Sequence, residues 1–471
     1  MISLPGLNLA SQPIEPTNAP SSSAIRTQDL AANTEYRFEV AFGKTLTIKL
    51  QSGTAEFFGT ELGPATTYSF EGTKGAVFTW HGCRLEIGGE VESDYVAEET
   101  PMMSVANLHF ALENLRDRSV ASGSVEMGPR VLVVGPENSG KTSLAKILTS
   151  YAVKTSRQPM VINLDPRQGM LSIPGSFSAA AYSSIVDVEE GWGSSPISGP
   201  SPIPVKQPLV YQYGLKDPEE GKVFKPLVTR MALAVTSRLE EDPASKQAGF
   251  IIDSSGSISQ GKNGVYDNIE HIVSEFSVNV VITLGSERLY SDLSRKFSTR
   301  SPDPTDTISV IRLDKSGGCV DRSEAYMRSL RHSQIRSYFF GAGEALPLAP
   351  SSQMADFSDL VIYRVKEDSG FVSSGGDYGD YGYGSGEAEE VYEKVLPSVA
   401  ELQDSLLAVT MAGAGDRHAV VRDACVRGYV YVADVDEGKR KVKLLSPMPG
   451  VVGGNALVLG RWPEDVPGLV N

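Results

Sequence analysis

Residues Gly135-Pro136-Glu137-Asn138-Ser139-Gly140-Lys141-Thr142 have the types and spacing of a phosphate binder, matching G-x-x-x-x-G-K-[ST] at every fixed position. Gly135 and Gly140 let the backbone wrap an anion with its N–H groups, where a Cβ would stand in the way. Asn138 and Ser139 complete the loop, Lys141 would bridge the β- and γ-phosphates of a nucleoside triphosphate, and the Thr142 hydroxyl would coordinate Mg2+. The run Val131-Leu132-Val133-Val134 ahead of the loop reads as a strand. Behind it, Leu144, Ile147, Leu148 and Tyr151 recur at helical spacing, so a helix N-terminus would add its positive end to the anion site. The expected ligand is ATP with a magnesium ion.

Two acids extend this chemistry. Asp165 follows the run Met160-Val161-Ile162-Asn163-Leu164, and Asp253 follows Gly249-Phe250-Ile251-Ile252. Carboxyl ends of strands are where α/β sheets place ligands. There one acid can order Mg2+ while another accepts a proton from an attacking hydroxyl. Each acid can equally be a strand-end residue that caps the next turn.

Three kinds of segment must position these groups. Up to about residue 103 the alternating runs Tyr36-Arg37-Phe38-Glu39-Val40, Leu46-Thr47-Ile48-Lys49-Leu50 and Val77-Phe78-Thr79-Trp80 imply a small β-sandwich or barrel. It is preceded by a mobile tail of 30 residues rich in Ser, Pro, Asn and Ala. From about 104 helical spacing at Leu108, Ala111, Leu112 and Leu115 gives way to continuous apolar strands, among them Val278-Asn279-Val280-Val281-Ile282-Thr283. Such runs suit a parallel sheet covered on both faces, with a Ser/Pro-rich surface insertion at 193–204. The last part returns to strands such as Tyr429-Val430-Tyr431-Val432 and Lys441-Val442-Lys443-Leu444-Leu445, interrupted at 369–386 by a Gly/Ser/Tyr/Asp tract expected to be disordered. The expected division is a tail at 1–30, a β domain at 31–103, a P-loop domain at 104–338 and a C-terminal domain at 339–471.

Composition narrows the function. The net charge of −15 argues against a general nucleic-acid binder, because Lys and Arg contacts to phosphate supply most of that affinity. It leaves room for a small basic cleft. No apolar run is long enough to span a bilayer, and the N-terminal residues lack the basic start of a secretory signal. Cys83, Cys319 and Cys425 lie too far apart for a CxxC metal pattern, and a reducing compartment is expected.

Taken in order along nearly the whole chain, several segments resemble the eukaryotic RNA 5′-hydroxyl polynucleotide kinases, within them the subunit that joins the pre-mRNA cleavage and polyadenylation factor. They are Phe58-Gly59-Thr60-Glu61-Leu62, Asn107-Leu108-His109-Phe110, the phosphate loop, Leu164-Asp165 to Gln168-Gly169, Ser172-Ile173-Pro174-Gly175, and Gln207-Pro208-Leu209-Val210-Tyr211. The series continues with Ser286-Glu287-Arg288-Leu289-Tyr290, Lys315-Ser316-Gly317-Gly318, Ile335-Arg336-Ser337-Tyr338-Phe339-Phe340-Gly341 and Pro447-Met448-Pro449-Gly450. The resemblance implies a multi-domain α/β protein: an N-terminal β-sandwich that reaches over adenine through Glu35 and Lys74, a central P-loop domain with a parallel sheet, and a C-terminal α/β domain. It places Ser143 beside the phosphate loop in the nucleotide site.

The departures from that family carry the functional expectation. Where active members have Asn-Thr-x-Gly-Trp, this chain has Asp253-Ser254-Ser255-Gly256-Ser257, so the Trp that clasps RNA is replaced by Ser257. A serine cannot supply the ~1–3 kcal/mol that an aromatic platform gains by stacking on a base. Of the lid arginines that steady the transferring phosphoryl group, Arg322 matches one, while the second position holds Met327 with Arg328 beside it. The groups that hold ATP are kept and those that hold RNA are eroded. The expectation is a pseudo-kinase: a nuclear scaffold with ATP as structural ligand and, by resemblance, the factor subunit that recognises the RNA polymerase II C-terminal domain as its partner. The alternative is an active 5′-hydroxyl kinase using Asp165 as base with Lys141 and Arg322 on the γ-phosphate. The basic stretch Arg322, Arg328, Arg331, His332 and Arg336 is either an RNA-facing lid or the solvated face of a helix. A GTPase or mechanical ATPase is a third class, and no Asn-Lys-x-Asp motif for guanine is present.

Overall fold

The computed structural model of the chain describes residues 25–192, 208–215, 218, 222–261, 264–298, 307–341, 348–366, 391–447, 449–450, 452–460 and 469. The expected tail up to residue 24, the insertion 193–204 and the tract 369–386 lie outside the described residues.

Alternation builds the N-terminal part. On Thr34–Glu39 the side chains of Tyr36 and Phe38 enter an apolar interior with Leu46, Ile48, Val77 and Leu85, which leaves Glu35, Arg37 and Glu39 to the other face. Two antiparallel sheets enclose that interior. One runs in the order Arg26–Leu30, Cys83–Gly89, Leu46–Gly53, Thr67–Phe70, and the other Thr60–Glu61, Glu56–Phe57, Lys74–Thr79, Thr34–Glu39, Ser93–Ala97. This is the expected sandwich. The expected tail is shorter than 30 residues, because Arg26–Leu30 is a strand paired antiparallel to Cys83–Gly89 with Leu30 buried. Its polar sequence carries no strand pattern, and the ladder to its neighbour orders it.

The central sheet has seven strands, in the order Leu209–Gln212, Ser176–Ala181, Met160–Leu164, Phe250–Ser254, Arg130–Val134, Val280–Leu284, Ser309–Leu313. The last five are parallel, and the two at the other edge pair antiparallel. Val131 and Val133 pack against helices Met102–Ala121 and Lys141–Lys154, while Leu132 and Val134 face Phe224–Glu241 and Asp267–Glu275. Cover on both faces explains the unbroken apolar runs.

The C-terminal sheet is mixed, in the order Ser351–Asp356, Lys441–Ser446, Val426–Asp436, Leu406–Gly413, Asn455–Leu459, Val361–Val365, Tyr392–Val395, with the short helices Val399–Leu402 and His418–Asp423 beside it. Helix Glu324–Phe340 ties it to the centre and runs through the expected division at 338/339. Tyr338 and Phe339 belong to the C-terminal core, and the Tyr338 hydroxyl accepts the N–H of Tyr429 at 3.0 Å. Among the described residues no helix is long and apolar enough to cross a membrane.

Candidate nucleotide site

The phosphate loop leaves the carboxyl end of Arg130–Val134 and runs into helix Lys141–Lys154. Gly140 caps that helix at φ 92°, a left-handed conformation that a β-carbon disfavours. A Cβ added there would also meet the Cys319 sulfur at 2.9 Å, and one on Gly135 would meet the Leu284 carbonyl oxygen at 2.4 Å. The glycines are therefore required by close approach as well as by turn shape. Asn138 takes φ 54°, and Ser139 donates its hydroxyl to the Pro136 carbonyl at 2.9 Å. The Lys141 ammonium donates to the same carbonyl at 2.8 Å, folded back over the loop.

Asp253, inside strand Phe250–Ser254, meets the helix start: the Thr142 hydroxyl donates to its Oδ2 at 2.6 Å. Its Oδ1 is buried without a hydrogen-bond partner. Burial pushes the Asp253 carboxyl up to about 6, although Lys141 and Thr142 act against the rise. Burial pulls Lys141 the other way, below the usual lysine range, opposed by Asp253 and Asp165. Asp165 is held by its own turn, accepting the N–H of Arg167 at 3.0 Å and the Gln168 amide at 3.4 Å. Arg322 reaches over from the lid segment. Its Nε donates to Asn138 at 3.0 Å and its Nη1 to Gln168 at 2.9 Å.

Asn138, Ser139, Gly140, Lys141, Thr142, Asp165 and Arg322 line one cavity of about 690 Å³, to which Glu35, Lys74 and Ser143 also contribute, while Asp253 is buried behind Thr142. Of the residues expected at the nucleotide site, the cavity wall thus gathers all but Gly135 and Asp253. Lys74 ion-pairs with Glu39 and sits 5.2 Å from the centre of the Tyr326 ring. Ser257 is not at the cavity wall. It is buried in the turn Ser257–Ser259 and shares a hydrogen bond with Ser255, while Ser255 and Gly256 do line the cavity. Met327 lines it and Arg328 does not. Of the basic stretch, Arg331 is buried, lines the cavity and pairs with Glu324 at 2.8 Å, whereas His332 and Arg336 are exposed.

Several contributors were not singled out from the sequence. Arg37 and Tyr95 come from the outer face of the sandwich, Ser316 and Gly318 from the loop after Ser309–Leu313, and Tyr326 from the lid helix. The available signal was the charged alternation Glu35, Arg37, Glu39: three ionisable groups on one face of a strand whose other face is aromatic.

A glycine-rich loop between a parallel strand and a helix, an acid on the neighbouring strand and a hydroxyl beside it define a P-loop nucleotide-binding protein. Comparisons with known proteins narrow the class. Residues 135–341 match the family described as mRNA cleavage and polyadenylation factor CLP1 P-loop, residues 29–119 the N-terminal beta-sandwich domain of polyadenylation factor, and residues 348–464 the pre-mRNA cleavage complex II protein Clp1. The chain is 76% identical over 471 residues to mRNA cleavage and polyadenylation factor CLP1 of Phaeosphaeria nodorum, covering 100% of both chains. It is 53% identical to the corresponding factor of Botryotinia fuckeliana, covering 98% of each. This chain belongs to the CLP1 family of mRNA cleavage and polyadenylation factors. Among solved structures it is similar to Clp1p in a wild-type Clp1p–Pcf11p complex, with a TM-score of 0.81 and 27% identity over 94% of this chain and 98% of that one. A second structure, described as the extended interface between Pcf11p and Clp1p and the basis for ATP loss in a point mutant, gives a TM-score of 0.82 and 28% identity over 94% and 99%.

Proposed function

We propose that this chain is the subunit of a nuclear mRNA cleavage and polyadenylation factor that holds ATP as a structural ligand, with a degenerate kinase site. The observation that carries the reading is the buried Ser257. At the turn where active kinases of the resembled family present an aromatic clasp, this chain presents a small hydroxyl bonded to Ser255. RNA finds no stacking platform on that residue, and Met327 in the cavity wall brings no charge to a transferring phosphoryl group.

The residues fit a magnesium nucleotide. Thr142 and Asp253 offer adjacent oxygens, one of them a buried carboxylate oxygen without a partner, and Asp165 stands across the same cavity. Among the described residues no cluster of three or more His, Cys, Asp or Glu forms a metal cage of its own. That suits Mg2+, which keeps waters and phosphate oxygens in its shell. When bound, the ion neutralises phosphate charge. The chain's own part is to hold the phosphates on the loop N–H groups, with Lys141 and Arg322 against them. Glu35 and Lys74 line the sandwich wall that faces the base. A subunit of the Pcf11p kind is the partner, docking on the central domain, and RNA contact is secondary.

The alternative, an active 5′-hydroxyl kinase, is favoured by Arg331. This second arginine reaches the cavity together with Arg322, Lys141 and Asp165. One experiment separates the two. The purified chain is analysed for retained nucleotide, then mixed with γ-labelled ATP and a 5′-hydroxyl RNA oligonucleotide, with Lys141→Ala as control. Retained intact ATP and unlabelled RNA are expected. Label on RNA that disappears in Lys141→Ala makes the chain a kinase.

A further inference from the structure

Sheet order divides the cavity into two arms. On one side of the phosphate-loop strand stand Phe250–Ser254 and Met160–Leu164, bringing Asp253 and Asp165. On the other stand Val280–Leu284 and Ser309–Leu313, whose following loops contain Gly285 and Lys315 to Cys319. Thr142 and Asp253 meet on the acid side, so a metal held by them would draw the end of a bound triphosphate that way. The nucleoside then trails towards the other arm.

That arm is closed by one buried side chain of the sandwich. Arg37 donates from Nε to the Glu35 carboxylate at 2.8 Å, and from Nη2 to the Glu99 carbonyl at 2.6 Å and the Ser316 hydroxyl at 3.4 Å. Its guanidinium lies 5.9 Å from the centre of the Tyr95 ring. The central loop is shaped to receive it, since a Cβ on Gly318 would stand 2.7 Å from Arg37 Nε. At its far end the same loop places Cys319 against Gly140 of the phosphate loop. Thr100 donates to the second oxygen of Glu35. A carboxylate gripped from two sides is an acceptor of fixed direction, with lone pairs left for the cavity.

We propose that Arg37 sets the base selectivity of this site, fixing Glu35 as an acceptor and seating the Lys315–Cys319 loop so that the base arm favours a purine with an amine donor over one with a carbonyl. The inference rests on the reading of the site as one for ATP. Arg37 is a positioning residue: it acts through Glu35 and the loop. A lysine in its place keeps the charge and loses the fork that spans both domains.

The test uses the full-length chain, stripped of nucleotide, and titrates it by calorimetry with magnesium ATP, magnesium GTP and inorganic tripolyphosphate. Tripolyphosphate probes the phosphate arm alone. For Arg37→Met the expected result is at least a tenfold loss of ATP affinity, tripolyphosphate affinity within twofold of wild type, and at least a fivefold fall in the ATP-to-GTP preference. Arg37→Lys regains thermal stability without regaining the preference, a split that a purely structural role would not give. Ser316→Ala, which leaves both domains intact, lowers the preference by a smaller factor and stands in if the Met variant fails to fold. A wild type that binds neither ATP nor tripolyphosphate overturns the ATP reading itself. A wild type that prefers ATP, with the preference unchanged in Arg37→Lys and Ser316→Ala, overturns only the role of Arg37.

Discussion

At the scale of single residues, Asp253 and Lys141 hold opposite charges in a space built for a third party. A carboxyl raised to about 6 when folded, against 3.8 for an ordinary aspartate, favours the apo protein only while protonated. That contribution is fully present below about pH 4 and lost as pH rises through about 6. At pH 7 ionised Asp253 therefore costs the apo chain roughly 1–3 kcal/mol. Asp253→Asn should raise the melting temperature of nucleotide-free protein at pH 7, with the gain shrinking towards zero at pH 4. The same variant should lose at least tenfold in affinity for magnesium ATP. Melting curves between pH 4 and 8, with and without the ligand, check both, and a variant less stable than wild type at pH 7 would sink the argument. The sequence placed Asp165 and Asp253 alike, as acids at strand ends. Their different surroundings could not be read there, because Asp253 is buried by strands far away in the chain whereas Asp165 is held by its own turn.

At the scale of elements, the helix Glu324–Phe340 is anchored at both ends beside the cavity. Ser323 caps its start by accepting the Tyr326 N–H at 3.2 Å, and Arg322 just ahead grips Asn138. Gln334 exchanges two hydrogen bonds with Gly169, both at 3.1 Å, and the last turn is buried in the C-terminal core. The end nearest the sandwich is held by Tyr326, whose hydroxyl donates to the Gly72 carbonyl at 2.8 Å and whose ring meets Phe42 at 5.4 Å. Tyr326→Phe removes that one hydrogen bond, worth about 0.5–1.5 kcal/mol, so nucleotide release should speed up roughly 2–10-fold with little change in melting temperature. Stopped-flow release of a fluorescent ATP analogue measures it, and an unchanged rate would mean that the lid is not the barrier. Sequence pattern reached the parallel strands at 131–134 and 160–164 because their burial on both faces forces continuous apolar runs. It missed the antiparallel strand Ser176–Ala181, all of it buried, because small residues carry no strand pattern. There Ser176 and Ser178 satisfy their hydroxyls on the Ile173 and Met170 carbonyls. The latch itself joins Tyr326 to residue 72, across 254 positions, and no local pattern encodes such a pair.

At the scale of the whole molecule, the cavity is a joint. The sandwich supplies Glu35, Arg37 and Lys74, the central sheet the phosphate loop and Asp165, and the lid helix continues from the cavity into the C-terminal core. Apolar side chains cross the first seam, Phe78, Phe58 and Trp80 packing with the central core and Val188 with the sandwich core, and Thr60 bonds Ser150 and the Val186 carbonyl. The cavity wall also carries the charged groups Glu35, Arg37, Lys74, Lys141, Asp165 and Arg322, and such groups lose water unless something pairs them. A ligand bound by both sides stabilises only the joined state, by about 4 kcal/mol at a thousand times its dissociation constant. Nucleotide-free protein should then melt in two resolved steps, the sandwich separating first, and saturating magnesium ATP should merge them into one step at higher temperature. Gly140→Ala tests whether the phosphate loop is the route. Its φ of 92° and the Cys319 sulfur 2.9 Å from the new carbon both oppose the native loop shape, while the sandwich and its core are untouched. The variant should keep the sandwich transition close to its wild-type temperature and fail to merge the two steps at any ATP concentration. Were calorimetry to show a single transition in wild type without nucleotide, the seam would be strong enough alone, and ATP would not be what holds the molecule together.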